Sequence, residues 1–178
     1  AITVPIYQSN QNNELEYILN NSEAKMLFVE DKKQGEKWLS IKSQCPHIQK
    51  VVSFCSLDYK GKNINSLDEM LQLGEDYQEK KPELFADLCQ SSSLNETATI
   101  IYTSGTTGQP KGVVLTHLQV MSEVKEVFGS INIDSKDSTL SFLPYAHIMG
   151  RIELWGSLYK GYTIAFAESV ERIRFNLM

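Results

Sequence analysis

Cysteine is scarce in this chain and poorly placed for staples or metal. The 178 residues hold three, Cys45, Cys55 and Cys89, an odd number with no C-x-x-C pair. That pattern argues against a disulfide framework and fits reduced thiols of the cytosol. Cys45-Pro46-His47 is an isolated pair, too little for a zinc site built from paired ligands. Also missing is any apolar run approaching the roughly 18 residues that a membrane-crossing helix needs. No secretory signal opens the sequence, and Ala1 is not a natural start, so the expectation is that the true N-terminus lies upstream. Positive charge is in deficit: 17 Lys and Arg against 22 Asp and Glu leave a net charge of −5. That balance speaks against broad nucleic-acid binding and still allows a nucleotide in a local basic pocket. Internal repeats and low-complexity tracts are absent. What remains is ordinary globular composition, 42% hydrophobic and 22% charged, enough for one sizeable core.

The apolar pattern alternates between two periods. Residues 3–8 read as a strand. Leu15, Ile18 and Leu19 share one helical face, with Asn12 or Asn13 available as cap. Lys25 to Val29 is a short strand, followed by a helix that turns Trp38 and Ile41 inward and a strand at Val51 to Phe54. Ser66-x-x-Glu69 is a capping box opening a helix with the apolar stripe Leu67, Met70 and Leu71. The charge-rich stretch 74–83 reads as a solvated helix end and loop. Strands are expected at Thr97 to Tyr102, Val113 to Leu115, Thr139 to Leu143 and Thr163 to Phe166. Helices are expected at His117 to Ser130, Ile148 to Tyr159 and from Glu168 onward. In the first of these, Val120, Met121, Val124, Val127 and Phe128 form a wide core stripe. Alternating strands and helices imply an α/β class, a layered α/β/α fold with a largely parallel sheet.

The most informative stretch is Tyr102 to Gly112, Y-T-S-G-T-T-G-Q-P-K-G. Glycines let a backbone turn tightly and approach an anion. Loop N–H groups and hydroxyls supply donors, and Lys111 supplies a compact positive charge. The apolar residues before it and Val113-Val114-Leu115 after it read as two arms of a hairpin-like excursion. Such a loop is suited to phosphate. It is not the P-loop G-x-x-x-x-G-K-[ST], because Pro110 replaces the second Gly and Gly112 follows Lys111. It is not the dinucleotide fingerprint either, because no G-x-G occurs in it. Gly105-Thr106-Thr107-Gly108 satisfies the bare GxxG of a KH domain, a weak signal in an acidic chain.

T-S-G-T-T-G-x-P-K-G resembles the phosphate-loop signature of the adenylate-forming enzymes: acyl-CoA synthetases, peptide-synthetase adenylation domains and luciferases. Ser141 to Arg151, S-F-L-P-Y-A-H-I-M-G-R, resembles the L-P-x-x-H segment that follows in that family. Val4-Pro5-Ile6-Tyr7, Glu16 to Ser22, Phe28 to Asp31 and Phe166 to Ser169 extend the likeness along the chain. It is nearest to the long-chain fatty acyl-CoA synthetase branch. The resemblance implies part of the N-terminal domain of an acyl-CoA synthetase-like fold. Residues to about 130 would belong to one α/β subdomain carrying the phosphate loop, and residues from about 131 would begin the next. The family's later motifs are absent, so the 178 residues are expected to be a fragment that is inactive alone.

The same resemblance implies ATP-dependent activation of a carboxylic acid, a long-chain fatty acid on this branch, through an acyl-adenylate to a CoA thioester. ATP, Mg2+ and coenzyme A are the implied cofactors and co-substrates. Thr103, Ser104, Gly105, Thr106, Thr107, Gly108 and Lys111 would hold the phosphates. Thr106 resembles the magnesium-holding position, with Thr107 the alternative. Lys111 and His147 are the implied catalytic residues. The simpler readings are a solvated Lys111 and a packed His147 at a strand-to-helix junction, and the sequence gives His147 no proton-transfer role. His117 reads as helix N-terminal structure. The partners implied are small molecules and no nucleic acid, with a cytoplasmic location and peripheral membrane contact of the full-length protein. Alternatives are a ligase for aryl, medium-chain or amino acids, a non-catalytic scaffold of the same fold, and a KH-like RNA binder.

Overall fold

The computed structural model describes residues 1–55, 63–103 and 108–177. In chain order the described elements are α1 (Asn12–Asn21), β1 (Met26–Val29), α2 (Lys32–Ile41), β2 (Lys50–Ser53), β3 (Ile64–Ser66), α3 (Leu67–Lys80) and α4 (Leu84–Ser91). There follow β4 (Thr97–Thr103), β5 (Lys111–Thr116), α5 (His117–Ser130), β6 (Ser138–Ser141), α6 (Ile148–Lys160), β7 (Thr163–Phe166) and α7 (Ile173–Asn176). Short 3-10 turns cover Lys42–Gln44 and Val170–Arg172. The chain has two compact units. One is formed by Ala1–Tyr7, Leu94–Thr103 and the chain from Lys111 onward; Gln8–Ser93 forms the body of the other.

In the Gln8–Ser93 unit, β1, β2 and β3 make a parallel sheet in that order. Val51 and Val52 of β2 are 1% and 0% exposed, as a central strand covered on both faces requires. Leu15, Ile18 and Leu19 of α1 and Trp38 and Ile41 of α2 are buried with them. α1 begins one residue earlier than expected, with Gln11 as N-cap instead of Asn12 or Asn13. Glu14 explains the shift: its carboxylate accepts from the Gln11 N–H at 2.9 Å and fixes the first turn. Asp31 caps α2, accepting from the Gln34 N–H at 2.8 Å. Cys45 is buried, and burial, then the charge of Glu16, pushes its thiol up. α3 opens on the expected box: Ser66 Oγ accepts from the Glu69 N–H at 3.1 Å, and Glu69 accepts from the Ser66 N–H at 2.9 Å. The expected stripe of α3 is not buried, however. Leu71 is 57% exposed, and no residue of α3 or α4 is buried. β3 and α4 are additions to the expected elements.

The other unit holds two two-stranded sheets. β4 and β5 form an antiparallel hairpin, and β6 and β7 pair in parallel. Residues 3–8 do not form the expected strand. Thr3 alone bridges Thr99, and Pro5, lacking an N–H, cannot extend the ladder. Thr116 caps α5, so His117 is the first helical residue, as expected. Gln119 closes that box, accepting from the Thr116 N–H at 2.8 Å. The core stripe of α5 is narrower than its sequence suggests: Val124 and Phe128 are buried, Val120 and Val127 are half-buried, and Met121 is exposed. Val124, Phe128, Ile152 and Tyr162 form the core, flanked by Val127, Ile133, Ile148, Trp155 and Ile164. The Phe128 and Tyr162 rings stack at 5.8 Å. The final expected helix is shorter than Glu168 to Met178, a 3-10 turn followed by the four residues of α7. Among the described residues no helix is long and apolar enough to cross a membrane.

Candidate functional site

In sequence the glycine and hydroxyl run is bracketed by β4 and β5, which pair antiparallel. Ile101 and Tyr102 anchor β4 in the interior, at 5% and 7% exposure. The register pairs Ile101 with Val113, Tyr102 with Gly112 and Thr103 with Lys111. Thr103 and Lys111 are therefore cross-strand neighbours, and the residues between them form the hairpin's connection. Both side chains are exposed. Gly108, also exposed, has a φ of +107°, a conformation that L side chains rarely adopt. Ser104, Gly105, Thr106 and Thr107 lie outside the described residues. Among the described residues no cluster of three or more His, Cys, Asp or Glu could hold a metal. The magnesium expectation rests on Thr106 or Thr107 and so also lies outside them.

The second candidate segment joins β6 to α6. Its backbone folds back at Pro144, whose carbonyl accepts from the His147 N–H at 2.9 Å. His147 is the N-cap of α6, and its Nδ1 accepts from the Met149 N–H at 3.2 Å. That bond places the proton of the neutral ring on Nε2 and makes Nε2–H the free donor. The ring is exposed rather than packed, so the packed-histidine reading does not hold. Tyr145 is tied to the end of β6, its hydroxyl 3.2 Å from Ser141 Oγ and its ring edge-on to Phe166. The structure thus pairs Thr103 with Lys111 directly. His147 belongs to the same unit, at the exit of the other sheet, and bonds Pro144, Met149 and Arg151, all within residues 144–151.

Three residues inside these segments have supporting roles that the motifs do not announce. Gly112 seats the Tyr102 ring: a Cβ there would meet Ile100 Cγ2 at 3.0 Å and Tyr102 Cζ at 3.1 Å. Cross-strand pairing supplies the signal, since a glycine opposite a buried aromatic leaves room for its ring. Gly150 lets the first turn of α6 lie on the preceding loop, where a Cβ would meet the carbonyls of Pro144 and Leu143 at 2.8 and 3.0 Å. Arg151 has a half-buried guanidinium 4.8 Å above the Trp155 ring, and burial pushes its pKa down. Nothing local in the sequence marks that role.

The inhibitor-bound N-terminal domain of FACL13 from Mycobacterium tuberculosis superposes with a TM-score of 0.71 at 21% identity, covering 98% of this chain and 40% of that one. The fold is therefore that of part of the N-terminal domain of acyl-CoA synthetases. Long-chain-fatty-acid–CoA ligase ACSBG2 of Xenopus laevis is 32% identical over 174 residues, 94% of this chain and 23% of that protein. Long-chain-fatty-acid–CoA ligase FadD15 of Mycobacterium bovis is 30% identical over 175 residues, 97% of this chain and 28% of that protein. The chain thus spans about a quarter of the length of these two curated relatives. The model of the AMP-binding enzyme family matches residues 1–177, and the chain belongs to that family.

Proposed function

We propose that the full-length protein is an AMP-forming acid–thiol ligase that activates a long-chain fatty acid. The carrying observation is the Thr103–Lys111 cross-strand pair, which closes the hydroxyl-rich connection at its base and holds a cation there. Transfer at a phosphate needs donors and a positive charge held close together, and the register sets Thr103 and Lys111 side by side. In this reading a carboxylate oxygen of the acid attacks the α-phosphorus of ATP and pyrophosphate leaves. The thiol of coenzyme A then attacks the acyl carbonyl carbon and AMP leaves. The hydroxyls of Thr103, Ser104, Thr106 and Thr107, with loop N–H groups, hold the β- and γ-phosphates. Gly105 and Gly108 let the backbone approach them, and Lys111 offsets their charge. Thr106, or Thr107, would hold magnesium, which would supply positive charge against the phosphates. His147 acts as an Nε2–H donor beside the reacting carboxyl group. Because Nδ1 is already occupied, it is not assigned the role of proton acceptor. The fatty-acid assignment is supported by the similarity to two proteins named as long-chain-fatty-acid–CoA ligases.

Acid-dependent ATP–pyrophosphate exchange by the full-length protein, across fatty, aryl and amino acids, tests the reading. Exchange driven by long-chain fatty acids supports it. Exchange with another acid class keeps the chemistry and discards the substrate. Silence with every acid from a folded protein overturns both.

A further inference from the structure

Arg151 is placed oddly for a structural residue. Its guanidinium is half-buried, burial disfavours its charge, and among the described residues no carboxylate pairs with it. A methionine would fill the same space beside Trp155 without that cost. What the guanidinium alone provides is a bond across 148 positions of sequence: its Nη2 donates to Thr3 Oγ1 at 3.0 Å. Thr3 is itself fixed to β4. Its carbonyl accepts from the Thr99 hydroxyl at 2.7 Å and from the Ile100 N–H at 3.0 Å, and its N–H donates to the Ala98 carbonyl at 3.3 Å. Thr99 is 0% exposed, so the β4 side of this junction is buried, while Thr3 itself is exposed. At the other end, the Arg151 N–H donates to the His147 carbonyl at 3.3 Å, one helical turn back.

We infer that Arg151 is a positioning residue that ties the helix capped by His147 to the strand feeding the phosphate loop. The connection runs from His147 through Arg151 and Thr3 into β4, which ends at Thr103. Trp155 supports the guanidinium at 4.8 Å from its ring centroid while Nη2 bonds Thr3, a pair of contacts that the point charge of lysine reproduces poorly. The inference rests on the proposed adenylation chemistry. Arg151 touches neither ATP nor acid in this reading; it keeps the His147 helix and β4 in one fixed relation, and reaction rates are steeply sensitive to such positioning.

The test is a double-mutant cycle in the full-length protein, read by ATP–pyrophosphate exchange. Thr3→Val keeps the backbone bonds to β4 and removes only the acceptor hydroxyl; Arg151→Met keeps the stem and removes the donor. Each is expected to lower the maximal exchange rate on the order of tenfold, with the KM for ATP little changed. The double variant is expected to be no slower than Arg151→Met alone, the mark of one shared bond. Arg151→Lys is expected to rescue only partly. If Arg151→Met fails to fold, Thr3→Val decides by itself. Variants as fast as the unaltered protein, or a double variant whose loss is the product of the two, overturn the inference. Absence of exchange in the unaltered protein with every acid instead removes the functional reading on which it stands.

Discussion

Helices α3 and α5 begin alike and end differently. Each opens on a complete capping box, Ser66 with Glu69 and Thr116 with Gln119, and each carries apolar residues at helical spacing. α5 buries Val124 and Phe128 against α6, where the Phe128 ring occupies the space a side chain at Gly156 would need. α3 buries none of its residues and leaves Leu71 and Tyr77 more than half exposed. Capping and periodicity therefore fix where a helix starts and which face is apolar. Whether that face meets a partner depends on residues far away in sequence, here a glycine 28 positions after Phe128.

This difference can be broken from its strong side first. Phe128→Ala removes the ring that fills the α5–α6 contact and stacks on Tyr162. Urea unfolding is expected to show a loss of about 3–5 kcal/mol; a loss under about 1 kcal/mol would mean the contact is not the core of that unit. Gly156→Ala sets a Cβ 2.0 Å from Phe128 Cζ and is expected to cost about 1–3 kcal/mol. Phe128→Leu in the same chain should recover part of that loss, and strict additivity would show that the two do not compete for space. On the weak side, Ser66→Ala unpairs one amide at the start of α3 and is expected to cost about 0.5–2 kcal/mol. Leu71→Ala, on the exposed stripe, is expected to change stability by less than about 0.5 kcal/mol. An effect of Leu71 as large as that of Phe128 would erase the contrast.

The same division separates what the sequence made legible from what it did not. The capping box at Ser66, the inward Trp38 and Ile41, the start of α5 at His117 and the two arms around the glycine-rich run all rest on local rules, and all are present. β3 is three residues long, too short for alternation to announce it. α4 carries a helical signal in Leu84, Phe85 and Leu88, but the charges before it dominate the window. Residues 3–8 look like a strand because they are apolar, yet pairing stops at Thr3 because Pro5 has no hydrogen to give. At the candidate site, the hairpin's arms revealed that Thr103 and Lys111 flank one loop. The N-cap role of His147 was not legible, because histidine is not among the preferred capping residues. The Arg151–Thr3 bond was not legible either, because local patterns say nothing about residues 148 positions apart.

The central claim is that the loop closed by Thr103 and Lys111 holds the phosphates of ATP while an acid is activated. Its most direct test is long-chain-fatty-acid-dependent ATP–pyrophosphate exchange by the full-length protein beside its Lys111→Met variant. The account predicts exchange in the unaltered protein and a fall on the order of a hundredfold in the variant, with the fold intact. Equal exchange in the two proteins would contradict it.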